Sequence, residues 1–146
     1  MTEPQASRAT APRPRARITG NVVVADDDPE VRELVGHVLR GDGHRVTELR
    51  SGEALLEHIA SALAAPQRVW PPDLVITDLR MPGLSGLDVA LGLRRRSWSL
   101  PFIVITAADD GDALAAACRC GVLCILPKPF RVNLLSDIVR GALAHG

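Results

Sequence analysis

The chain has 146 residues, 47% of them hydrophobic, with 17 basic and 17 acidic side chains and three cysteines. That length suits one domain whose core needs no disulfide or metal staple. No apolar run approaches the ~20 residues of a membrane span, the N-terminus lacks the apolar centre of a signal peptide, and an odd cysteine count fits a reducing compartment, so a cytoplasmic location is expected.

In chain order, residues 1–17 come first, with four arginines, one glutamate and the prolines Pro4, Pro12 and Pro14. Such a stretch has nothing to pack and is expected to be a disordered tail, leaving residues 18–146 as the folded domain. The domain holds 13 basic and 16 acidic residues, a net charge of −3. It has no basic stripe of the kind nucleic acid requires.

Short β-branched runs predict strands at 21–25, 45–49, 73–77, 102–105 and 122–126, alternating with helical segments. That alternation implies repeated βαβ units and a buried parallel sheet. The first helix follows Asp28 as cap and Pro29 in its first turn, with Val31, Leu34, Val35, Val38 and Leu39 at the spacing of one buried stripe. Gly41 and Gly43 end it. Ser51-Gly52 opens a second helix with Leu55, Leu56, Ile59 and Leu63 on its apolar side, and the prolines at 66, 71 and 72 force a loop after it. A third helix starts near Ser85, which can form a capping pair with Asp88. A fourth follows Asp109 and stops at Gly121. The last runs from about Val132 and is expected to bury Val132, Leu135, Ile138, Val139 and Leu143.

Each apolar run that matters ends in a polar group. NVVVA leads to Asp26, Asp27 and Asp28, LVIT to Asp78, FIVI to Thr106, and VLCILP to Lys128. In an open parallel sheet, ligands bind beyond the carboxyl ends of the strands, so these groups are expected to converge. Two like charges about 4 Å apart repel by about 4 kcal/mol at an effective dielectric of 20. A positive group must offset the carboxylates, or some of their pKa values must rise. Mg²⁺ is the natural counterion, being hard and held by one or two carboxylates together with waters and a phosphate. Asp78 could be a ligand, a base or a nucleophile that forms an acyl phosphate. Lys128 is the single lysine beside sixteen arginines, which suggests that a compact point charge is required there. A cis Lys128–Pro129 bond would turn it back towards the carboxylates.

The segments VVVADDDPEVREL, DLVITDLRMPGLSG, FIVITAADD and LPKPF, in this order and spacing, resemble the motifs of response-regulator receiver domains, the phosphoacceptor modules of two-component signalling. The resemblance covers roughly residues 20–144. It implies a flavodoxin-like, doubly wound α/β fold with a five-stranded parallel sheet in the order 2-1-3-4-5. It also implies that Asp78 accepts a phosphoryl group from a phosphohistidine on a sensor histidine kinase or phosphotransfer protein. Asp27, Asp78 and the backbone carbonyl of Arg80 would bind Mg²⁺ directly, and Asp26 through water. Thr106 and Lys128 would engage the phosphoryl group and switch the face made by the fourth helix, fifth strand and fifth helix. Arg80 and Ala108 hold the positions that tune phosphoryl lifetime. Ile125 stands where many members carry an aromatic switch residue, so coupling to the output face is expected to use another residue or to be weak.

Such a module is no ordinary enzyme, since its only reactions are its own phosphotransfer and autodephosphorylation. Sixteen residues follow Phe130, room for a last helix but not for an output domain. The expectation is a stand-alone receiver, or one cut from a longer protein, acting as a monomer or weak homodimer on a downstream protein partner, without direct nucleic-acid or membrane binding. Two rivals differ in class. Asp26-Asp27-Asp28 also offers the Asp-x-Asp of a haloacid-dehalogenase-like phosphohydrolase with Asp26 as nucleophile, but Pro29-Glu30 departs from that pattern. A phosphorylation-independent binding module would keep the fold without the chemistry, and only the missing aromatic favours it. Cys118, Cys120 and Cys124 lack a defined fourth metal ligand and read as packing residues. His37, His44, His58 and His145 read as surface or helix-end residues.

Overall fold

The computed structural model describes residues 18–107 and 111–144. The expected tail at 1–17 and the lifetime position Ala108 lie outside the described residues. Five strands alternate with five helices: β1 (Asn21–Ala25), α1 (Pro29–Gly41), β2 (Arg45–Leu49), α2 (Gly52–Ala64), β3 (Leu74–Asp78), α3 (Gly86–Arg95), β4 (Phe102–Ala107), α4 (Gly111–Arg119), β5 (Cys124–Lys128) and α5 (Val132–Ala144). All neighbouring strands pair in parallel, in the order β2-β1-β3-β4-β5. The chain order reverses beside β1, which puts a crevice between the carboxyl ends of β1 and β3.

Alternation along the strands splits the core into two layers. Val22 and Val24 of β1, with Leu74, Ile76, Ile103, Ile105 and Leu126, pack against Val35 and Leu39 of α1 and Leu135 and Val139 of α5. Val23 and Ala25, with Val75 and Phe102, pack against Leu55 and Ile59 of α2 and Val89, Ala90 and Leu93 of α3. The sheet is therefore covered on both faces, which is why its strands read as continuous apolar runs rather than alternating ones.

The helix signals act as expected at the starts. Asp28 caps α1 through Glu30 N–H, Ser51 caps α2 through Ala54 N–H, and Ser85 with Asp88 forms a reciprocal capping box on α3. The strand ends differ from expectation. β3 runs to Asp78, β4 to Ala107 and β5 to Lys128, so the functional candidates belong to the ladder itself instead of the loops after it. Backbone pairing, which single-strand hydrophobicity does not report, extends each strand into its polar end. Three leucines expected inside are outside: Leu34, Leu56 and Leu63 are about half exposed. Each lies beside the buried stripe formed by Val35 and Leu39 on α1 and by Leu55 and Ile59 on α2. His44, expected as a surface or helix-end residue, lies just past the end of α1 and is buried, with its Nδ1 accepting from Gly20 N–H at 3.2 Å.

Candidate functional site

The register assembles the site. Ala25 of β1 pairs with Thr77 of β3, so the next residues, Asp26 and Asp78, emerge side by side. Asp78 pairs with Ile105, Thr106 with Pro127, and Ala107 with Lys128, which carries the same edge across β4 to β5. Lys128 starts two strands from Asp78, about 10 Å away at ordinary strand spacing. Its flexible stem spans the gap: Nζ lies 3.3 Å from Asp78 Oδ2 and 4.0 Å from Asp26 Oδ2. The Lys128–Pro129 bond is cis.

The loops fix the carboxylates. Asp26 N–H donates to the Leu49 carbonyl at 3.0 Å, and Leu79 N–H to the Ile105 carbonyl at 2.9 Å, extending the ladder one residue past β1 and β3. Asp28 N–H donates to Asp26 Oδ1 at 2.9 Å, and Arg80 N–H to Asp78 Oδ1 at 3.2 Å. Each carboxylate is thus oriented by a backbone amide two residues on. Asp26 Oδ2 is buried and has no hydrogen-bond partner. Thr106 is fully buried, and its hydroxyl donates to the Ala107 carbonyl at 3.2 Å.

Electrostatically the site is under-neutralised. Burial pushes the Asp26 carboxyl up from 3.8 to about 6, with the Asp28 N–H opposing, the Asp78 charge adding, and Lys128 pulling back. Asp26, Asp27 and Asp78 offer carboxylate oxygens that all lie within 4.8 Å of one another. Three hard oxygen donors, one of them buried without a hydrogen-bond partner, face one ammonium. That donor set fits a hard divalent cation such as Mg²⁺.

The structure thus brings together Asp26, Asp27, Asp78 and Lys128. Thr106 lies on the same edge of β4, and Arg80 sits in the loop after Asp78 with its side chain exposed. Ile125 is half-buried in β5, in register with Val104. Among the described residues the cysteines enter no cluster that could hold a metal, and Cys118 is exposed.

Sequence reasoning passed over Arg32. Its guanidinium donates to the Asp26 carbonyl at 2.8 Å and approaches Glu48 Oε1 at 3.7 Å. A salt bridge at 2.6 Å joins Arg40 to the same glutamate, so α1 is strapped to β2 by two arginines, one of which also holds the Asp26 backbone. No residue pattern announces a partner that arrives from another strand. The close seating of α2 and α3 was equally hidden. A Cβ on Gly52 would lie 1.9 Å from the Leu84 carbonyl oxygen, and one on Gly86 2.2 Å from Thr77 Oγ1.

Comparison with known proteins agrees with this geometry. The profile of the family described as "Response regulator receiver domain" matches residues 22–140. The DNA-binding transcriptional regulator NtrC of Escherichia coli (strain K12) is 35% identical over 126 residues, 86% of this chain and 25% of that protein. Response regulator MprA of Mycolicibacterium vanbaalenii is 35% identical over 122 residues, 84% of this chain and 49% of that protein. The chain therefore spans between a quarter and a half of the length of these relatives. Among solved structures, a response regulator receiver domain protein from Clostridium thermocellum superposes with a TM-score of 0.72 at 26% identity, covering 86% of this chain and 94% of that one. The Francisella response regulator 1452 receiver domain shares the fold, with a TM-score of 0.73 at 23% identity over 86% of this chain and 98% of that one.

Proposed function

The chain belongs to the response regulator receiver domain family, and on that premise we propose that Asp78 accepts a phosphoryl group from a phosphohistidine and that the resulting acyl phosphate switches a protein-binding surface. The observation that carries this reading is the meeting of Asp26, Asp27 and Asp78 with the single lysine at the carboxyl edge of the sheet. The donor is a sensor histidine kinase or phosphotransfer protein, and the output passes to a downstream protein.

The chemistry follows from the positions. An Asp78 carboxylate oxygen attacks phosphorus, the phosphorus–nitrogen bond of the donor breaks, and its electron pair leaves with the imidazole. Such transfer needs positioning and charge stabilisation more than covalent help. Lys128 supplies a positive charge already within reach of Asp78, and can pair with a phosphoryl oxygen once the carboxylate is phosphorylated. Mg²⁺ held by Asp27, Asp78 and the Arg80 carbonyl, with Asp26 acting through water, would offset the remaining negative charge. The Thr106 hydroxyl, now given to the Ala107 carbonyl, can turn to a phosphoryl oxygen instead. Exchanging that bond is a local charge event able to shift the population of the face around α4, β5 and α5. With Ile125 in place of an aromatic, transmission runs through another residue or is weak. Arg80, on the surface beside Asp78, and Ala108 set how long the phosphoryl group persists.

Incubation with acetyl phosphate and Mg²⁺ tests the proposal by intact mass. Wild type is expected to gain one phosphoryl group and Asp78→Asn none. An adduct of equal yield in the Asp78→Asn protein would overturn the assignment.

A further inference from the structure

The loop that follows Asp78 is held at its near end by the sheet. Leu79 N–H bonds to Ile105, and Leu79 and Met81 are both buried. Its far end has a separate anchor on α2. Glu53 Oε2 accepts a hydrogen bond from Leu84 N–H at 2.9 Å, across 31 residues of chain. That amide, with one from its own backbone, holds the Glu53 carboxyl below its ordinary range. The loop is moulded to this carboxylate. Gly83 has φ +81°, and a Cβ there would come within 2.5 Å of Glu53 Oε2. Gly52, next to Glu53, leaves no room between its α-carbon and the Leu84 carbonyl. An exposed glutamate is an unexpected place for such a fit, because solvent normally leaves such side chains free.

We propose that Glu53 is a positioning residue for the divalent-cation site, fixing the loop at residues 79–85 so that the Arg80 carbonyl is presented beside Asp27 and Asp78. This rests on the proposed role of those residues in holding Mg²⁺. A carboxylate suits the task because it accepts strongly from a backbone amide while remaining on the rigid first turn of α2. Neither Glu53 nor Leu84 touches the cation, so the effect is one of preorganisation.

The test is calorimetric titration of the full chain with Mg²⁺, together with hydrogen exchange of the Leu84 amide. Partners one step behind a metal ligand typically contribute 10- to 100-fold in affinity. Glu53 acts one step further out, so Glu53→Ala is expected to weaken Mg²⁺ about three- to tenfold and to speed Leu84 exchange. Glu53→Gln keeps a carbonyl acceptor and is expected to restore most of both. Unchanged affinity in Glu53→Ala, beside an Asp27→Asn protein that loses binding, would overturn the proposal and leave the site assignment standing. A Glu53→Gln protein as weak as Glu53→Ala also overturns it. Absence of Mg²⁺ binding in wild type, with Leu84 protection still dependent on Glu53, overturns the cation reading on which the proposal rests.

Discussion

The two edges of the sheet handle polar groups in opposite ways. At the amino edge, Asn21 N–H donates to Asp73 Oδ2 at 2.8 Å, and Asp73 N–H returns to the Asn21 carbonyl at 2.7 Å. The Asn21 amide nitrogen reaches the carbonyls of Trp70 and Pro71 at 2.8 and 3.0 Å, and Arg45 lies 4.0 Å over the Trp70 ring. One acceptor there, Asn21 Oδ1, lacks a partner, but it is neutral. At the carboxyl edge Asp26 Oδ2, a carboxylate oxygen in a cluster of three such groups, accepts no hydrogen bond and has only the Lys128 ammonium at 4.0 Å to offset it. Unsatisfied charge in a folded protein costs far more than an unsatisfied neutral amide. The amino edge stabilises the fold, and the carboxyl edge gives up stability to hold three carboxylates together.

This contrast can be broken by substitution at either edge. The largest effect is expected at Asp26. Its carboxyl titrates near 6 in the fold and near 3.8 outside it, so the folded state binds the extra proton between those values. Stability therefore falls as pH rises through that window, and the full penalty is present above about 6. Without divalent cations at pH 7, Asp26→Asn should raise unfolding stability by about 2–3 kcal/mol in urea denaturation. Asn can still accept from Asp28 N–H. A destabilised Asp26→Asn protein would show that the carboxyl edge carries no such cost.

A somewhat smaller effect of opposite sign is expected at the amino edge. Asp73→Ala strands the buried Asn21 amide and should cost about 1–2 kcal/mol by the same measurement. Phosphoryl uptake at Asp78 should be unaffected. Loss of uptake in that variant would mean that the edges are not independent.

The smallest effect concerns His44. Burial holds it below its ordinary value of 6.5, with Asp42 opposing and Arg140 adding. The unfolded chain then binds the proton first, so this contribution is intact above 6.5 and is lost as pH falls through the lower folded value. In an Asp26→Asn background, which removes the opposing titration of Asp26, thermal melts from pH 7.5 to 5 should show a decline that becomes shallower when His44→Gln is added. Equal slopes would remove His44 from the account of the amino edge.

Much of the fold was legible because its signals are local. The apolar runs, the Asp28, Ser51 and Ser85 caps and the glycine stops required only neighbouring residues. The convergence of Asp26, Asp27, Asp78 and Lys128 was legible because each follows an apolar run, and the rule for open sheets sends such ends to one crevice. Leu34, Leu56 and Leu63 misled because helical periodicity gives the direction of a stripe but not its width. The helix-end half of the His44 reading fits, but its burial was hidden because a residue after a helix looks solvated until Gly20, ahead of β1, bonds to it.

The sequence alone determined the element order, the helix starts and the identity of the acidic cluster with its lysine, since these depend on spacing and chemical type. Only the tertiary structure decided that Asp26 and Asp78 emerge side by side, that Lys128 spans two strands to reach them, and that Arg32 and Glu53 reach the Asp26 carbonyl and the Leu84 amide from the helices α1 and α2. Those contacts join residues from 6 positions apart, Asp26 and Arg32, to 102 apart, Asp26 and Lys128. Pairing register and close backbone approach fix them, and neither is written in any single stretch of chain.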